Sequence, residues 1–477
     1  MPRAAVAQAV SPSAEWHLTA RGDSLRVLAV SVTLRDGSRP AERGELRVPE
    51  WRDAPTNAAS ATSRIVLRWL RFPALDTVTA SARSRPPIVF LAGGPGDAGT
   101  RAVSGMPLAL LDSLRASGDV IAFDQRATGT STPLLWCPPG TSVPVTDALD
   151  RELREARARE AVARCLTQLD SSGVQRAGYS TRESVEDLES LRIALKAPSI
   201  SLLGGSYGTH LALAYLGAYP TRVARALLAG VEGLDDTFKL PSRIDAVFAD
   251  VARAASRDPQ FAGRRSLLEV FDSLRTHLDT ARPLATAGSA TVRVNGFDLQ
   301  RLVTDALGDH RSIAQLPWQL YAIADGNLDA LARTSVRLRQ PRPINVMNLL
   351  VNCASGASPA RWAQIDAERA TSRLGEAMDF PAVVQCRSES LNARAPLQAS
   401  VSRAVVLFVS GTWDGRTPPA NVTPLLPQFP NARHLVVEYA SHNLMGDPAV
   451  MAATGRFFRG EMPREELVRR PQPPFAR

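Results

Sequence analysis

The chain has 477 residues, 44% of them apolar and 22% charged, which is long enough for a large core and a second substructure. No stretch approaches the roughly 18 uninterrupted apolar residues of a membrane span, so we expect no such span. The formal charge is +9, but apart from Lys196 and Lys239 the basic residues are arginines scattered along the whole chain. Nucleic-acid binding would call for clustered cations with interleaved aromatic residues, so the sequence predicts a solvated basic surface and no nucleic-acid partner.

Residues 16–80 have the pattern of antiparallel β-structure. Residues 25–33 and 64–72 have strand composition, and turn residues such as Asp36 and Gly37 lie beside them. A short strand is predicted over residues 44–49. Nothing in this part of the sequence stands out as a catalytic candidate.

Two continuous apolar runs, residues 87–92 and 120–123, are typical of strands that are buried on both faces of a parallel sheet. The first run leads into residues 93–96 (Gly-Gly-Pro-Gly), a loop whose backbone amides can approach a ligand closely. Helical patterns lie between the strands, and Ser180 with Glu183 predicts a capping box at the start of one of them. Alternating strands and helices predict a mostly parallel sheet with crossover helices.

Residues 200–209 combine an apolar strand, the sequence Gly-Gly-Ser-Tyr-Gly and the start of a helix that stops at Pro220. This is the G-x-S-x-G pattern in the strand–turn–helix setting of a nucleophilic serine. Gly204 and Gly208 are small where strand and helix nearly touch, and the turn lifts the hydroxyl of Ser206 above the sheet edge. The alternative is a glycine-rich turn with an incidental serine. The hypothesis that follows is a serine hydrolase.

Between residues 236 and 400 the strand–helix alternation stops and helical segments dominate. We interpret this stretch as a helical cap inserted between residues 1–235, a β extension with the first part of an α/β core, and residues 401–477, the second part of the core with a tail. The Arg- and Pro-rich residues 464–477 are expected to be loose. Further core strands are predicted at residues 225–229, 404–409 and 434–438.

A serine hydroxyl needs a general base, usually a histidine that a carboxylate holds, and on an α/β core the expected chain order is serine, acid, histidine. Of the six histidines, only His442 lies just beyond a late core strand. Asp414 lies at the end of the preceding strand, whereas the competing Asp447 follows the histidine and Glu438 lies inside a strand. The sequence therefore predicts a triad of Ser206, Asp414 and His442.

The negatively charged oxygen of a tetrahedral intermediate needs two hydrogen-bond donors. The backbone amide of Tyr207 is one donor by the geometry of the serine turn. The second is expected from Gly93 or Gly94, and the sequence leaves open which of them supplies it. No metal site or cofactor is expected.

The four cysteines are Cys137, Cys165, Cys353 and Cys386. None forms a C-x-x-C pair or lies in a histidine-rich cluster, which argues against zinc. They fall into two local pairs, 137 with 165 and 353 with 386, which suits two disulfides and a secreted or periplasmic location. The alternative is four buried thiols in a cytoplasmic enzyme. Residues 1–9 end in Ala-Gln-Ala like a signal-peptidase site, but they lack the apolar region of a signal peptide.

Four motifs in this order resemble the α/β-hydrolase family of prolyl iminopeptidases and tripeptidyl aminopeptidases. They are residues 91–96 (Leu-Ala-Gly-Gly-Pro-Gly; family His-Gly-Gly-Pro-Gly), residues 124–131 (Asp-Gln-Arg-Ala-Thr-Gly-Thr-Ser; family Asp-Gln-Arg-Gly-x-Gly-x-Ser), residues 204–208, and Asp414 with His442. Residues 316–328 and the cysteine within residues 351–355 look like the tripeptidyl aminopeptidase branch.

The resemblance covers residues 44–460 approximately and implies an α/β-hydrolase fold with a cap. Three positions depart from the family pattern: Ala92 replaces a histidine, Ala127 a glycine, and Ser441 the glycine before the catalytic histidine. No triad member is among them, but they leave the peptide specificity open.

Three functions are compatible with these residues. The first is a serine exopeptidase that releases N-terminal residues or short peptides, and the second is a carboxylesterase or lactonase that uses the same triad on a small ester. The third, a non-catalytic binding protein, is disfavoured by the intact triad, and an epoxide- or haloalkane-type hydrolase would carry aspartate in place of Ser206. The expected partner is a peptide or a small-molecule ester, and we expect a monomer.

Glu232 follows the strand after the serine turn and so is expected at the same edge of the sheet as Ser206. An aminopeptidase must hold the protonated amine of its substrate, and a carboxylate under the cap would do so. The alternative is a loop glutamate that pairs with a nearby arginine. Both interpretations stay open at the level of the sequence.

Overall fold

A computed structural model describes residues 8–9, 15–55, 62–75, 85–145, 149–387, 391, 397 and 401–476. Most of the signal-like stretch at residues 1–9, and part of the C-terminal end of the predicted cap, lie outside these residues. No helix within the described ranges is long and apolar enough to cross a membrane.

The described residues contain one twelve-stranded sheet that is antiparallel on its N-terminal side and parallel from Val120–Asp124 to the C-terminal edge. The strand His17–Leu18 pairs with Ser24–Leu34. Across the sheet the strands lie in the order Gln8–Ala9, Ser24–Leu34, Gly37–Pro49, Arg64–Phe72, Val120–Asp124, Ile88–Leu91, Ile200–Gly205, Val223–Ala229, Val405–Gly411, Ala432–Val437 and Leu467–Val468. The predicted α/β fold with a mostly parallel core sheet is thereby confirmed.

The strand predicted over residues 44–49 is longer than expected and spans Gly37–Pro49. Its pairing with Ser24–Leu34 extends it back to Gly37. Pro40 lies where this strand has a neighbour on one side only, since its pairing with Arg64–Phe72 begins at Glu42. A proline is tolerated there because no second strand requires its missing N–H group.

Helices connect the strands of the sheet and also build the predicted cap. The helices of the core are Gly99–Ser104, Leu108–Arg115, Arg151–Ser171, Thr181–Ala194, Tyr207–Ala218 and Pro448–Phe458. The segment between the strands Val223–Ala229 and Val405–Gly411 contains Pro241–Arg257, Leu267–Ala281, Gly296–Ala306, His310–Ala324, Asp329–Arg339, Val346–Ser355, Pro359–Arg369 and Ala382–Gln385. A small hairpin pairs Leu284–Ala287 with Ala290–Arg293, and a separate two-stranded antiparallel sheet pairs Trp136–Cys137 with Ile344–Asn345.

The capping box expected at Ser180 is half formed. The Ser180 hydroxyl accepts a hydrogen bond from the backbone amide of Glu183 at 3.4 Å, as predicted. The carboxylate of Glu183 instead binds Arg52, taking its backbone amide at 3.0 Å and its guanidinium at 2.7 Å. A long-range ion pair thus replaces the local bond that the capping box would have made.

The inserted segment packs as two parts. Buried apolar side chains between Ile244 and Ala332 share a second hydrophobic cluster, here called the cap cluster, which also includes Leu374, Trp413 and Phe475. The helix Val346–Ser355 belongs instead to the cluster that covers one face of the sheet, together with residues of the helix that follows Ser206. The boundary of the cap at residues 236 and 400 stays a prediction.

The C-terminal residues are not the loose tail that the sequence predicted. Leu467–Val468 adds a parallel strand to the sheet, and the guanidinium of Arg470 pairs with Asp447 at 2.6 Å. Phe475 is only 3% exposed because its ring packs among aromatic residues of the cap cluster. Arginine and proline composition alone did not reveal this buried aromatic anchor.

Candidate active site

Ser206 lies between the strand Ile200–Gly205 and the helix Tyr207–Ala218, with φ 53° and ψ −127°. This left-handed conformation is costly for a residue with a side chain and persists only where its surroundings enforce it. The amide of Ser206 donates to the carbonyl of Ala229 at 3.0 Å, and its own carbonyl accepts from the amide of Thr209 at 2.8 Å. Two neighbouring elements therefore hold the serine in its strained position.

The close approach of strand and helix explains the glycines around Ser206. A β-carbon on Gly204 would lie 2.8 Å from the carbonyl oxygen of Gly208, and one on Gly208 would lie 2.1 Å from that of Leu91. Both distances are too short for any side chain. The first and last glycines of the G-x-S-x-G pattern are thus required by packing.

The structure brings the three predicted triad residues together. The Nε2 atom of His442 lies 3.0 Å from the hydroxyl of Ser206, and its Nδ1 atom lies 3.0 and 3.1 Å from the two carboxylate oxygens of Asp414. His442 follows the strand Ala432–Val437, and Asp414 follows Val405–Gly411, so both come from the carboxyl ends of adjacent parallel strands. Such ends meet at one edge of the sheet.

Asp414 is completely buried, and its carboxylate accepts hydrogen bonds from more than the histidine. The backbone amides of Arg416 and Thr417 donate to it at 2.9 Å each, and the Thr417 hydroxyl donates at 2.6 Å. Burial by itself would raise the pKa of Asp414, but its electrostatic interaction and hydrogen bond with His442 and its hydrogen bonds from Thr417 outweigh burial and lower the pKa below its ordinary value. The carboxylate is therefore held ionised beside the imidazole.

The competing acids have other partners. Glu438 accepts a hydrogen bond from the backbone amide of Arg470 at 3.2 Å. Asp447 caps the helix Pro448–Phe458 by accepting from Ala449 and also pairs with Arg470. Both contacts tie the C-terminal segment to the core, and neither involves the imidazole of His442.

The loop at residues 93–96 lies against the nucleophile. A β-carbon on Gly93 would lie 2.9 Å from the β-carbon of Ser206 and 3.5 Å from its hydroxyl, whereas the atoms nearest to one on Gly94 belong to Gly96 and Asp97. Of the two glycines predicted to complete an oxyanion hole, Gly93 is thus the one beside Ser206. Tyr207, the other predicted donor, is the first residue of the following helix.

Residues 124–131 form a mostly buried scaffold behind this loop. The carboxylate of Asp124 accepts from the backbone amides and hydroxyls of Thr100 and Thr130, at 2.7 to 2.9 Å. The side-chain amide of Gln125 donates to the carbonyl of Ala92 at 3.4 Å, next to Gly93. Arg126 is fully buried and pairs with Asp187 at 2.7 Å. The motif positions the loop without touching the serine hydroxyl.

Glu232 lies in the loop after Val223–Ala229, and its backbone amide donates to the hydroxyl of Thr209 in the helix behind Ser206, at 2.8 Å. The residue is 4% exposed. One carboxylate oxygen, Oε2, accepts from the ammonium of Lys239 at 3.3 Å, so its cation is a lysine and not the arginine that the sequence suggested. The other oxygen, Oε1, has no hydrogen-bond partner among the described residues.

The four cysteines pair as expected from their spacing. Disulfides join Cys137 to Cys165 and Cys353 to Cys386, and all four residues are buried. No free cysteine occurs in the described part of the chain.

Sequence reasoning missed four residues that surround the site. They are Thr417, which contacts both Asp414 and His442; Gly230, which lies against the imidazole; and Asn345 and Asn348, which contact the glycine loop. An asparagine before an apolar helical run signals a helix N-cap, so Asn345 had a detectable local role. Its contact with a loop 249 residues away had no sequence signal.

An α/β-hydrolase has a mostly parallel α/β sheet, a strained serine turn, and an acid and a histidine that follow successive strands. This chain has all of these features. A family model described as the alpha/beta hydrolase fold matches residues 86–449. The chain belongs to this family, which confirms the resemblance drawn from its motifs.

Curated relatives match part of the chain. It is 30% identical over 198 residues to serine protease Hip1 of Mycobacterium tuberculosis, covering 39% of this chain and 35% of that protein. It is 29% identical over 167 residues to tripeptidyl aminopeptidase of Streptomyces lividans, covering 33% of this chain and 30% of that protein. The matches thus span only about a third of each relative. They and the family confirm the prediction of an enzyme of the hydrolase class.

Among solved structures, the chain is similar to a proline iminopeptidase-related protein from Thermus thermophilus. The two are 15% identical, with a TM-score of 0.35, over 83% of this chain and 92% of that chain.

Proposed function

We propose that the protein is a serine exopeptidase that hydrolyses N-terminal residues or short peptides from its substrates through Ser206, His442 and Asp414. The observation that carries this proposal is the pair of contacts of His442, 3.0 Å to the Ser206 hydroxyl and 3.0 Å to Asp414. A hydroxyl, an imidazole and a buried carboxylate in this order activate a serine for acyl transfer.

In the first step, Nε2 of His442 takes the proton of the Ser206 hydroxyl as the oxygen attacks the carbonyl carbon of the scissile bond. Asp414 accepts the Nδ1–H of the imidazole, which fixes the tautomer with a free Nε2 and stabilises the imidazolium that forms. The lowered pKa of Asp414 keeps this carboxylate charged at neutral pH. The carbonyl carbon becomes tetrahedral, and its oxygen becomes negatively charged.

That oxygen is stabilised by backbone amides of Tyr207 and of the loop that contains Gly93 and Gly94. The amide of Tyr207 is at a helix N-terminus, where the unpaired N–H groups favour a negative charge. Gly93 is adjacent to the serine, so the loop is the second source of a donor. Each well-placed donor of this kind contributes a factor of about 10²–10³ to kcat.

The intermediate then collapses: the bond to the leaving amine breaks, and His442 donates its proton to the nitrogen. The acyl group stays on Ser206 as an ester until water, deprotonated by the same imidazole, attacks it. This second attack releases the carboxylic acid and returns the proton to the serine.

The peptide bond is the proposed substrate because relatives of this chain include a serine protease and a tripeptidyl aminopeptidase. A triad alone also cleaves esters, so a carboxylesterase or lactonase is the competing function. The test is a panel of aminoacyl and tripeptidyl fluorogenic amides assayed beside short-chain p-nitrophenyl esters, with Ser206→Ala as the control for each substrate. Serine-dependent turnover of esters but of no amide would overturn the peptidase proposal.

Glu232 is proposed to bind the protonated amine of the substrate through Oε1. This oxygen is buried without a hydrogen-bond partner among the described residues, with Nδ1 of His210 at 3.9 Å, and a buried carboxylate oxygen that lacks a hydrogen bond is unfavourable until a donor reaches it. The competing interpretation is a purely structural ion pair, since Lys239 is 3.3 Å from Oε2. Burial lowers the pKa of the Lys239 ammonium, but the charges of Glu232 and Asp379 outweigh that effect, so the pKa is raised and the lysine stays charged.

Comparing KM for substrates with a free amine and substrates with a blocked amine separates these two roles. Glu232→Gln should raise KM for free-amine peptides by about ten- to a hundredfold and leave N-acetylated peptides and simple esters unaffected. Glu186→Gln is the control, because Glu186 likewise pairs with one long basic side chain, Arg21, and also accepts from the Tyr219 hydroxyl, but it lies on the helix Thr181–Ala194. An equal loss on amine-bearing and amine-blocked substrates would assign Glu232 to structure.

An oxidising compartment, secreted or periplasmic, is proposed for the working enzyme. Its support is the pairing of Cys137 with Cys165 and of Cys353 with Cys386, because such bonds persist where thiols are not kept reduced. Fractionation of the native host followed by immunodetection tests the location, and recovery of the protein in the cytoplasm would refute it.

A further inference from the structure

The helix Val346–Ser355 contacts the glycine loop at its N-terminal end. The side-chain amide of Asn348 donates to the carbonyl of Pro95 at 2.8 Å, and that of Asn345 donates to the carbonyl of Gly96 at 3.4 Å. Asn345 also caps the helix by accepting from the amide of Asn348 at 3.1 Å. Loop and helix N-terminus are therefore joined by two asparagine side chains.

The other end of the same helix connects to Tyr207. The hydroxyl of Ser355, the last residue of the helix, lies 3.0 Å from the hydroxyl of Thr181, which in turn lies 3.1 Å from the phenol of Tyr207. All three side chains are buried. One ten-residue helix thus reaches, at its two ends, the two segments that supply the proposed oxyanion donors.

This helix is itself firmly attached to the core. Its apolar residues pack into the cluster on one face of the sheet, and Cys353 is bonded to Cys386. Immediately before it, Ile344 pairs with Cys137 in a two-stranded antiparallel sheet, and Cys137 is bonded to Cys165. A fixed element of this kind can hold weaker segments in place.

The glycine loop needs such a support. Three of its four residues are glycines, which have the largest backbone freedom, and Pro95 has no N–H group with which to anchor itself. Gly93 accepts from the amide of Asp97 at 3.3 Å, which closes the loop but does not fix it to the rest of the protein. Gln125 binds the carbonyl of Ala92 just before Gly93, and the bond from Asn348 to Pro95 supplies a second fixed point, two residues after Gly93.

We infer that the helix Val346–Ser355 holds both halves of the oxyanion hole in register and that Asn348 is a positioning residue for the glycine loop. This inference rests on the proposed function, because it assumes that amides beside Ser206 stabilise a negatively charged oxygen. Asn348 acts through the loop and does not touch the substrate. Donors that are placed before the reaction cost no reorganisation in the transition state, so displacing the loop should lower kcat more than it changes KM.

The test compares Asn348→Leu with Asn431→Leu. Both asparagines donate a side-chain amide bond to a backbone carbonyl, but the carbonyl that Asn431 binds, at 2.7 Å, is that of Arg403, ahead of the strand Val405–Gly411 and at the opposite end of the sheet from Asp414. The readouts are the rate of labelling of Ser206 by a fluorophosphonate probe, kcat and KM for p-nitrophenyl butyrate, and Tm.

Asn348→Leu should lower kcat and the labelling rate by about ten- to a hundredfold, with KM changed by less than about threefold, as expected for a misplaced donor. Asn431→Leu should match the wild type in all three. If the two variants have the same kcat and labelling rate, the inference is overturned while the serine hydrolase stands. A wild-type protein that neither reacts with the probe nor hydrolyses a substrate would instead refute the proposed function.

A second variant covers the case in which Asn348→Leu fails to fold. Ser355→Ala removes the hydroxyl that contacts Thr181 and leaves the glycine loop untouched. It should lower kcat several-fold at constant KM, because the Tyr207 segment loses one of its fixed points. An unchanged kcat in a folded Ser355→Ala protein would overturn the two-ended role of the helix.

Discussion

The ring of Phe475 stacks on that of Trp413, with 5.9 Å between the ring centroids and 21° between the planes. Trp413 directly precedes Asp414, so the last residues of the described chain pack behind the acid of the triad. The backbone carbonyl of Phe475 also accepts from Gln260, and the amide of Ala476 donates to the carbonyl of Ala314, both in the cap segment. The C-terminal residues therefore connect the sheet edge with the cap helices.

Removing this aromatic anchor should destabilise the protein. Phe475→Ala is expected to lower the free energy of unfolding by about 3–5 kcal/mol, because a buried phenyl ring is lost and a cavity remains. Gln472→Ala is the control on the same tail, since it removes one hydrogen bond to the carbonyl of Ala254 and no aromatic ring. Chemical denaturation with both variants measures the difference, and equal stability of the two would show that the tail contributes no packing energy.

The catalytic roles predict a specific pattern of losses. Ser206→Ala should abolish turnover with the fold intact, and Asp414→Asn and His442→Ala should each cost roughly three or more orders of magnitude in kcat, because a triad acts as a unit. Kinetics on the best substrate of the panel measures these losses, and a fluorophosphonate should label the wild type at Ser206 alone. Near-normal activity of Ser206→Ala would remove the basis of the hydrolase proposal.

Local patterns in the sequence were enough for the core of the site. About ten consecutive residues are enough to encode each of the local features of the site, namely the G-x-S-x-G turn, the apolar strands and the strand ends that carry the acid and the histidine. Ser206, Asp414 and His442 were therefore predictable, and they do lie together. Parallel strands place their carboxyl ends at one edge of the sheet, so residues that follow different strands in the sequence lie close together in space.

Contacts between distant segments were not predictable. The Glu183 carboxylate binds Arg52, 131 residues away, and not the amide that the capping pattern offers. Asn348 binds a carbonyl 253 residues away. The pattern of a single sequence indicates periodicity and local hydrogen bonding, but it does not indicate which side chain contacts a loop far away in the sequence.

Gly208 and Gly205 flank Ser206 but should respond differently to the same substitution. Gly208→Ala would put a β-carbon 2.1 Å from the carbonyl oxygen of Leu91, so strand and helix must separate, at a cost of about 3 kcal/mol or more and with loss of probe labelling. Gly205→Ala meets no atom within 4 Å and should retain both fold and labelling. Thermal unfolding and fluorophosphonate labelling of both variants test this contrast, which similar behaviour of the two would contradict.

The disulfides should stabilise the protein. Their sequence separations are 28 and 33 residues, and in the chain-entropy account loops of this length contribute roughly 3–4 kcal/mol each. Replacing Cys137 and Cys165 together by alanine, or Cys353 and Cys386 together, should lower the free energy of unfolding by that amount. Mass spectrometry of the non-reduced protein should recover both pairs, and four free thiols after expression in an oxidising compartment would refute the pairing.

His434 should make stability depend on pH in the mildly acidic range. It lies half-buried on the strand Ala432–Val437 with its Nε2 atom 3.0 Å from the Ser410 hydroxyl, and burial lowers its pKa to about 4. In the unfolded chain a histidine has a pKa of about 6.5. Between these values the unfolded state binds a proton that the folded state does not, so the free energy of unfolding rises with pH.

The stabilising contribution of neutral His434 is therefore complete above about pH 6.5 and is lost progressively as the pH falls towards about 4. After allowance for its partial exposure, the loss should be roughly 2 kcal/mol. Denaturant unfolding at several pH values should give a shallower acid decline for His434→Gln than for the wild type, whereas the same change at the exposed His17 should leave the decline unaltered. Parallel curves for His434→Gln and the wild type would show that other groups cause the acid sensitivity.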